Sequence, residues 1–73
     1  MGEKELLPHQ LRVIEEKEEL LNKIEKLSAF LQTDKAKELS TEEYILLSVQ
    51  LDYMNLYFSV LIKRIKVFLG TNL

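Results

Sequence analysis

From Tyr44 to Leu69 the chain carries more apolar side chain than one partner helix can cover. Between Tyr44 and Ile62 the small or polar residues Ser48, Asp52, Asn55 and Ser59 share one narrow strip at helical spacing, which leaves a helix apolar over most of its circumference. Such a helix is buried over most of its circumference. In a chain of 73 residues the cover must come from another copy of the chain, from a partner, or from a membrane.

Size sharpens that choice. A chain this short buries about 60% of the surface its unfolded form exposes, and below roughly 70–80 residues a single core is marginal without disulfides, metal or oligomerisation. No cysteine is present, so disulfides and thiolate metal sites are excluded, and oligomerisation is the staple that remains. Hydrophobic content of 47% beside 30% charged residues belongs to a folded helical module, not a disordered segment. A formal charge of −2 argues against general nucleic-acid binding, which depends on neutralising many phosphates. An anionic ligand would have to be met by local cations.

The stretch Met1–Leu7 contains acidic residues and no apolar core of signal-peptide length, so a cytoplasmic location is expected. Residues 44–62 approach the ~20 that span a bilayer. Asp52 at their centre, flanked by Gln50 and Asn55, weighs against insertion, because a charge there is costly.

The chain divides into two helical segments and one connection. Pro8 fits the first turn of a helix, and from Leu11 the apolar residues Ile14, Leu21, Ile24, Leu27, Phe30 and Leu31 recur mostly at spacings of three and four. This predicts a helix over about 8–31. Thr33 to Leu39 has no apolar period, which predicts a connection over about 33–40. Ser40-Thr41-Glu42-Glu43 offers a capping box, and Gly70, preceded by Lys63, Arg64 and Lys66, supplies a helix end. The second helix should therefore run over about 41–69. Similar lengths and a short connection predict an all-α, antiparallel two-helix hairpin that assembles into a homo-oligomeric helical bundle. The expected oligomer interface is Leu47, Leu51, Met54, Phe58 and Leu61, with Gln50 among them.

Little in the sequence supports catalysis. His9 is the one histidine, no cysteine is present, and the two glycines, Gly2 and Gly70, form no phosphate loop. No enzyme activity, cofactor or metal is expected. The acidic cluster Glu15, Glu16, Glu18 and Glu19 reads as a solvated helix face, and His9 as a polar residue at a helix start. Lys17 breaks the pattern: Val13, Ile14, Leu20, Leu21 and Ile24 bracket it, so a cation lies on or beside the buried stripe, where an unpaired charge is expensive. A hairpin centred near residue 37 sets Lys17 level with Tyr57, Arg12 near Ile62 and Gln10 near Arg64. His9, Gln10, Arg12, Lys17, Tyr53, Tyr57 and Arg64 then gather in the half away from the connection. Cations beside tyrosines suit a phosphate with a base stacked above it. The competing reading has Lys17 snorkelling over the core to pair with Glu16 or Asp52, with the tyrosines serving as interface aromatics.

The stretch His9–Leu20, then Lys23-Ile24-Glu25-Lys26-Leu27 with Phe30, and Gln50-Leu51, Met54, Tyr57, Val60-Leu61 and Arg64-Ile65 resembles the crAss-phage-related small proteins of phages and prophages. These are similar to the helical-hairpin superfamily that includes the anti-CBASS and anti-Thoeris signal sponges. The resemblance covers about residues 9 to 68. It implies a homo-oligomer, often a hexamer, that works in the host bacterial cytoplasm. It further implies that the protein traps a cyclic oligonucleotide or a cyclic ADP-ribose derivative without cleaving it. Arg12, Lys17, Tyr57 and Arg64 are the ligand contacts it implies, to which the hairpin geometry adds Tyr53 and His9. The alternative expectation is an oligomeric interaction protein whose second helix docks on a host or phage protein.

Overall fold

A computed structural model describes residues 6–70. They form helix α1 (Pro8–Leu31), a short 3-10 turn (Lys35–Glu38) and helix α2 (Thr41–Leu69), with no strand among the described residues. Local chemistry accounts for each boundary. Pro8 occupies the first turn of α1, where its missing N–H costs nothing, and the Leu7 N–H donates to the Gln10 side-chain carbonyl at 2.9 Å. Gln10 is thereby spent on capping. At the start of α2, the Ser40 hydroxyl accepts from the Glu43 N–H at 3.1 Å and the Glu43 carboxylate accepts from the Ser40 N–H at 3.3 Å, a reciprocal capping box. Gly70 closes α2 in the left-handed region, at φ 72°, where a residue without Cβ is favoured.

The connection is more ordered than its lack of apolar period implied. Thr33 donates its hydroxyl to the Phe30 carbonyl and accepts from the Ala36 N–H, which folds the chain into the 3-10 turn and drives Ala36 to 1% exposure. One buried alanine sets no period, so the sequence pattern could not reveal it.

Two side-chain bonds tie the helices antiparallel. The Tyr44 hydroxyl donates to the Leu31 carbonyl at 3.3 Å and the Tyr57 hydroxyl donates to the Glu16 carboxylate; both pairs are centred within a residue of position 37. The result is a rod of 56 × 19 × 16 Å, too thin for a deep interior. Among the described residues Val13, Ile24, Ala36 and Leu61 are buried, and Leu61 alone among the large side chains is fully enclosed.

That enclosure corrects part of the expected oligomer interface. Leu47, Leu51, Met54 and Phe58 are half-buried and fall with Leu61 at spacings of three and four, so they form the face of α2 that packs on α1. Leu61 has no surface left for a second copy. The unpartnered apolar residues lie elsewhere on α2, among them Leu46, Val49, Tyr53, Leu56 and Val60. By length and composition α2 could also cross a membrane: its most apolar stretch has a mean hydropathy of 1.5, and 6% of that stretch is buried inside the hairpin.

Candidate ligand-binding groove

His9, Arg12, Glu16, Glu19, Lys23 and Lys26 succeed one another at alternating spacings of three and four, which aligns them along one edge of α1. Facing that edge across the hairpin are Gln50, Met54 and Tyr57 of α2. Between them runs an open groove in three connected stretches. Nearest the connection, about 460 Å³ is lined by Lys23, Lys26, Leu27, Phe30, Leu47, Gln50 and Met54. The middle stretch, about 430 Å³, is lined by Leu20, Leu46, Val49, Gln50, Tyr53, Met54 and Tyr57. Beyond it about 230 Å³ lies among Glu16, Glu19, Leu20, Lys23 and Tyr57. Shared walls join the three: Gln50 and Met54 in one case, Leu20 and Tyr57 in the other. The floor is apolar, the rim carries ammonium, amide, carboxylate and phenol groups, and the two larger volumes fall in the usual range for small-molecule sites.

Tyr57 is the pivot of the rim. Its hydroxyl donates to Glu16, and that bond, with partial desolvation and the Glu16 charge, holds the phenol pKa above its ordinary value; the Arg64 guanidinium pulls the other way. The sign of the linkage is fixed: a raised pKa in the folded state means that the protonated phenol stabilises the hairpin. That contribution is complete below the ordinary tyrosine value and is lost as pH rises through the raised one. In a phenolate absorbance titration, one of the three tyrosines should titrate late, and Tyr57→Phe should remove that late component. Glu16→Gln should bring it back toward ordinary tyrosine behaviour; a late component that survives Tyr57→Phe contradicts the assignment.

Lys17 requires a correction. Its ammonium lies 2.9 Å from the Glu18 carboxylate, not at Glu16 or Asp52, because Glu16 is engaged by Tyr57. The aliphatic stem covers the hairpin core while the charge reaches solvent beside its own neighbour, and such an exposed pair contributes only ~0–1 kcal/mol. Lys17 is not among the residues lining the groove. Tyr53 and Tyr57 do line it; Arg64 does not, and only its charge is felt at Tyr57. Arg12 and His9 are exposed on the same edge of α1, one and two turns beyond Glu16. The sequence reading missed Lys23, Lys26, Gln50 and Glu19 as groove residues. For Glu19, Lys23 and Lys26 the signal was the unbroken three-four spacing from His9 to Lys26, which reads as a generic solvated face until α2 is set beside it; Gln50, on α2, had no such signal.

A family model described as Sequestin matches residues 7–67. The chain belongs to the Sequestin family. The matched region takes in α1, all but the last two residues of α2 and every residue lining the groove, and the family name points to sequestration of a ligand. No curated protein and no solved structure matches this Sequestin-family chain. Among its described residues no group of three or more His, Asp or Glu is placed to hold a metal ion.

Proposed function

We propose that this Sequestin-family chain is a phage or prophage anti-defence protein that captures a cyclic nucleotide immune signal in the host bacterial cytoplasm and holds it without cleaving it. The observation that carries the proposal is the groove itself, where an apolar floor is rimmed by Lys23, Lys26, Gln50 and Tyr57, with the Arg64 charge felt at Tyr57. Ammonium and guanidinium groups hold phosphates, a phenol ring stacks on a base, and the Gln50 amide with the Glu16 and Glu19 carboxylates reads base edges. Tyr53 adds a second ring at the outer lip, and Arg12 and His9 extend the polar edge. Lys17 has no place among these contacts. Capture of this kind needs affinity and stoichiometry but no nucleophile or general base.

The test is calorimetric titration of the purified protein with cyclic dinucleotides, cyclic trinucleotides and cyclic ADP-ribose isomers. Saturable binding of one class, with the ligand recovered intact after the protein is denatured, is the expected result. Absence of heat and of thermal stabilisation across the whole panel would sink the proposal. A second reading, an interaction protein that docks on a host or phage protein, is favoured by the exposed apolar residues on the outer side of α2. Its mark would be a stoichiometric protein complex that survives loss of both groove lysines.

A further inference from the structure

The groove is electrically lopsided. Two ammonium groups, Lys23 and Lys26, and no carboxylate line the stretch nearest the connection. The middle stretch carries no ionised side chain; Gln50, Tyr53 and Tyr57 are its polar groups. At the far end two carboxylates, Glu16 and Glu19, share the wall with the same Lys23. Glu19 and Lys23 stand one turn apart, a spacing at which opposite charges meet. Yet among the described residues the ion pairs are Lys17 with Glu18 and Lys37 with Asp34, so neither group is neutralised by the other. Glu16 accepts from the Tyr57 hydroxyl through one oxygen. That bond leaves its charge in place, felt at Tyr57, and most of its acceptor capacity free.

Without the two carboxylates this edge would have a different character. Arg12, Lys23 and Lys26 lie on one edge of α1 across about 21 Å at 1.5 Å per residue, with Tyr53 and Tyr57 in the groove wall. A basic edge beside aromatic rings is what a single nucleic-acid strand binds, with little regard to its sequence. Glu16 and Glu19 interrupt that edge, between Arg12 and Lys23.

We propose that Glu16 and Glu19 act as an electrostatic stop. They bar phosphate from the far end, so the groove takes small ligands whose phosphates lie together at Lys23 and Lys26 and rejects strands whose phosphates run its full length. The ligand class rests on the sequestration reading. A phosphate near the connection meets two cations, whereas at the far end it meets like charge at short range, where salt screens least. The two carboxylates suit an N–H edge or a cationic group instead. The ligand is thereby read lengthwise, with its anionic end toward the connection. The same two residues keep a groove built from lysines and tyrosines clear of cellular RNA.

The test is fluorescence anisotropy with a labelled oligothymidylate of about six residues, long enough to fill one single-strand site. Glu16→Gln with Glu19→Gln should raise affinity for it about 10-fold at low salt, and the gain should shrink as salt rises. Glu15→Gln with Glu25→Gln changes the net charge equally at two exposed positions that do not line the groove, and should raise affinity less than about 2-fold. Equal gains in the two pairs, which would reflect net charge alone, or no gain in the groove pair, would overturn the proposal. A gain that survives addition of Lys23→Ala and Lys26→Ala would place the strand elsewhere and overturn it as well. Glu19→Gln alone leaves the bond from Tyr57 to Glu16 in place and should give part of the gain, and circular dichroism checks that the helices persist. The two readings fail separately. A gain in a protein that binds no cyclic nucleotide upholds the stop and removes the sponge, whereas cyclic-nucleotide binding by the parent without the gain does the reverse.

Discussion

Leu61→Ala is expected to cost the hairpin about 2–5 kcal/mol, the range for truncating an enclosed leucine. Among the described residues Leu61 is the only large side chain at 0% exposure, and the hairpin register sets it level with Val13, itself buried. In a rod two helices thick, no third layer can move in to fill the space. The loss is measured against a small total, because a chain of this size carries on the order of 4–11 kcal/mol of stability. The expected observation is a large fall in the urea midpoint followed by circular dichroism, with Leu61→Met costing less than about 1.5 kcal/mol because it conserves volume. Any association of copies would raise apparent stability by mass action, so each variant is compared with its parent at matched and varied protein concentration. A Leu61→Ala midpoint within ~0.5 kcal/mol of the parent, the scale of an ordinary surface substitution, would mean that α1 and α2 do not pack as described.

Leu61 also marks where the sequence stops being legible. The helix boundaries rest on local signals that need no tertiary context: Pro8 at a first turn, Ser40 with Glu43 at a cap, Gly70 at an end. The hairpin register follows from the position of the connection, and the Tyr57–Glu16 and Tyr44–Leu31 bonds fall within a residue of it. The faces of α2 are a different matter. Leu47, Leu51, Met54, Phe58 and Leu61 repeat at three and four, and so do Leu46, Val49, Tyr53, Leu56 and Val60. Periodicity ranks neither set above the other when both are apolar. Only the geometry of α1 decides which one packs on it, and it takes the set that the sequence reading had assigned to the oligomer interface. Lys17 follows the competing reading: its four-carbon stem lets the charge leave the position its Cα occupies, with Glu18 as the partner in place of Glu16 or Asp52. A groove between two helices is likewise a property of the pair. Lys23 and Lys26 look like ordinary surface lysines on α1 until Gln50 and Met54 stand opposite.

The same two lysines carry the prediction that separates the groove from the site first expected. Lys23→Ala and Lys26→Ala should each weaken capture of a cyclic dinucleotide by roughly 10- to 150-fold, the equivalent of one charge-assisted hydrogen bond at 1.5–3 kcal/mol. Lys17→Ala should leave affinity nearly unchanged, since that ammonium faces Glu18 and does not line the groove. Tyr57→Ala should cost a stacking contribution of ~1–3 kcal/mol, whereas Tyr57→Phe keeps the ring and loses only the bond to Glu16. Both groove lysines are exposed, so the hairpin should fold normally without them, and circular dichroism checks that the loss is one of binding. Salt provides an independent axis. Exposed cations on a phosphate are screened over about 10 Å at 0.1 M ionic strength, so the parent should lose affinity as salt rises, and the lysine variants should show a shallower dependence. If instead Lys17→Ala abolishes capture while both groove variants bind like the parent, the ligand sits elsewhere on the hairpin. The chemistry assigned to the groove would then have to be sought at the open end, around Arg12 and His9.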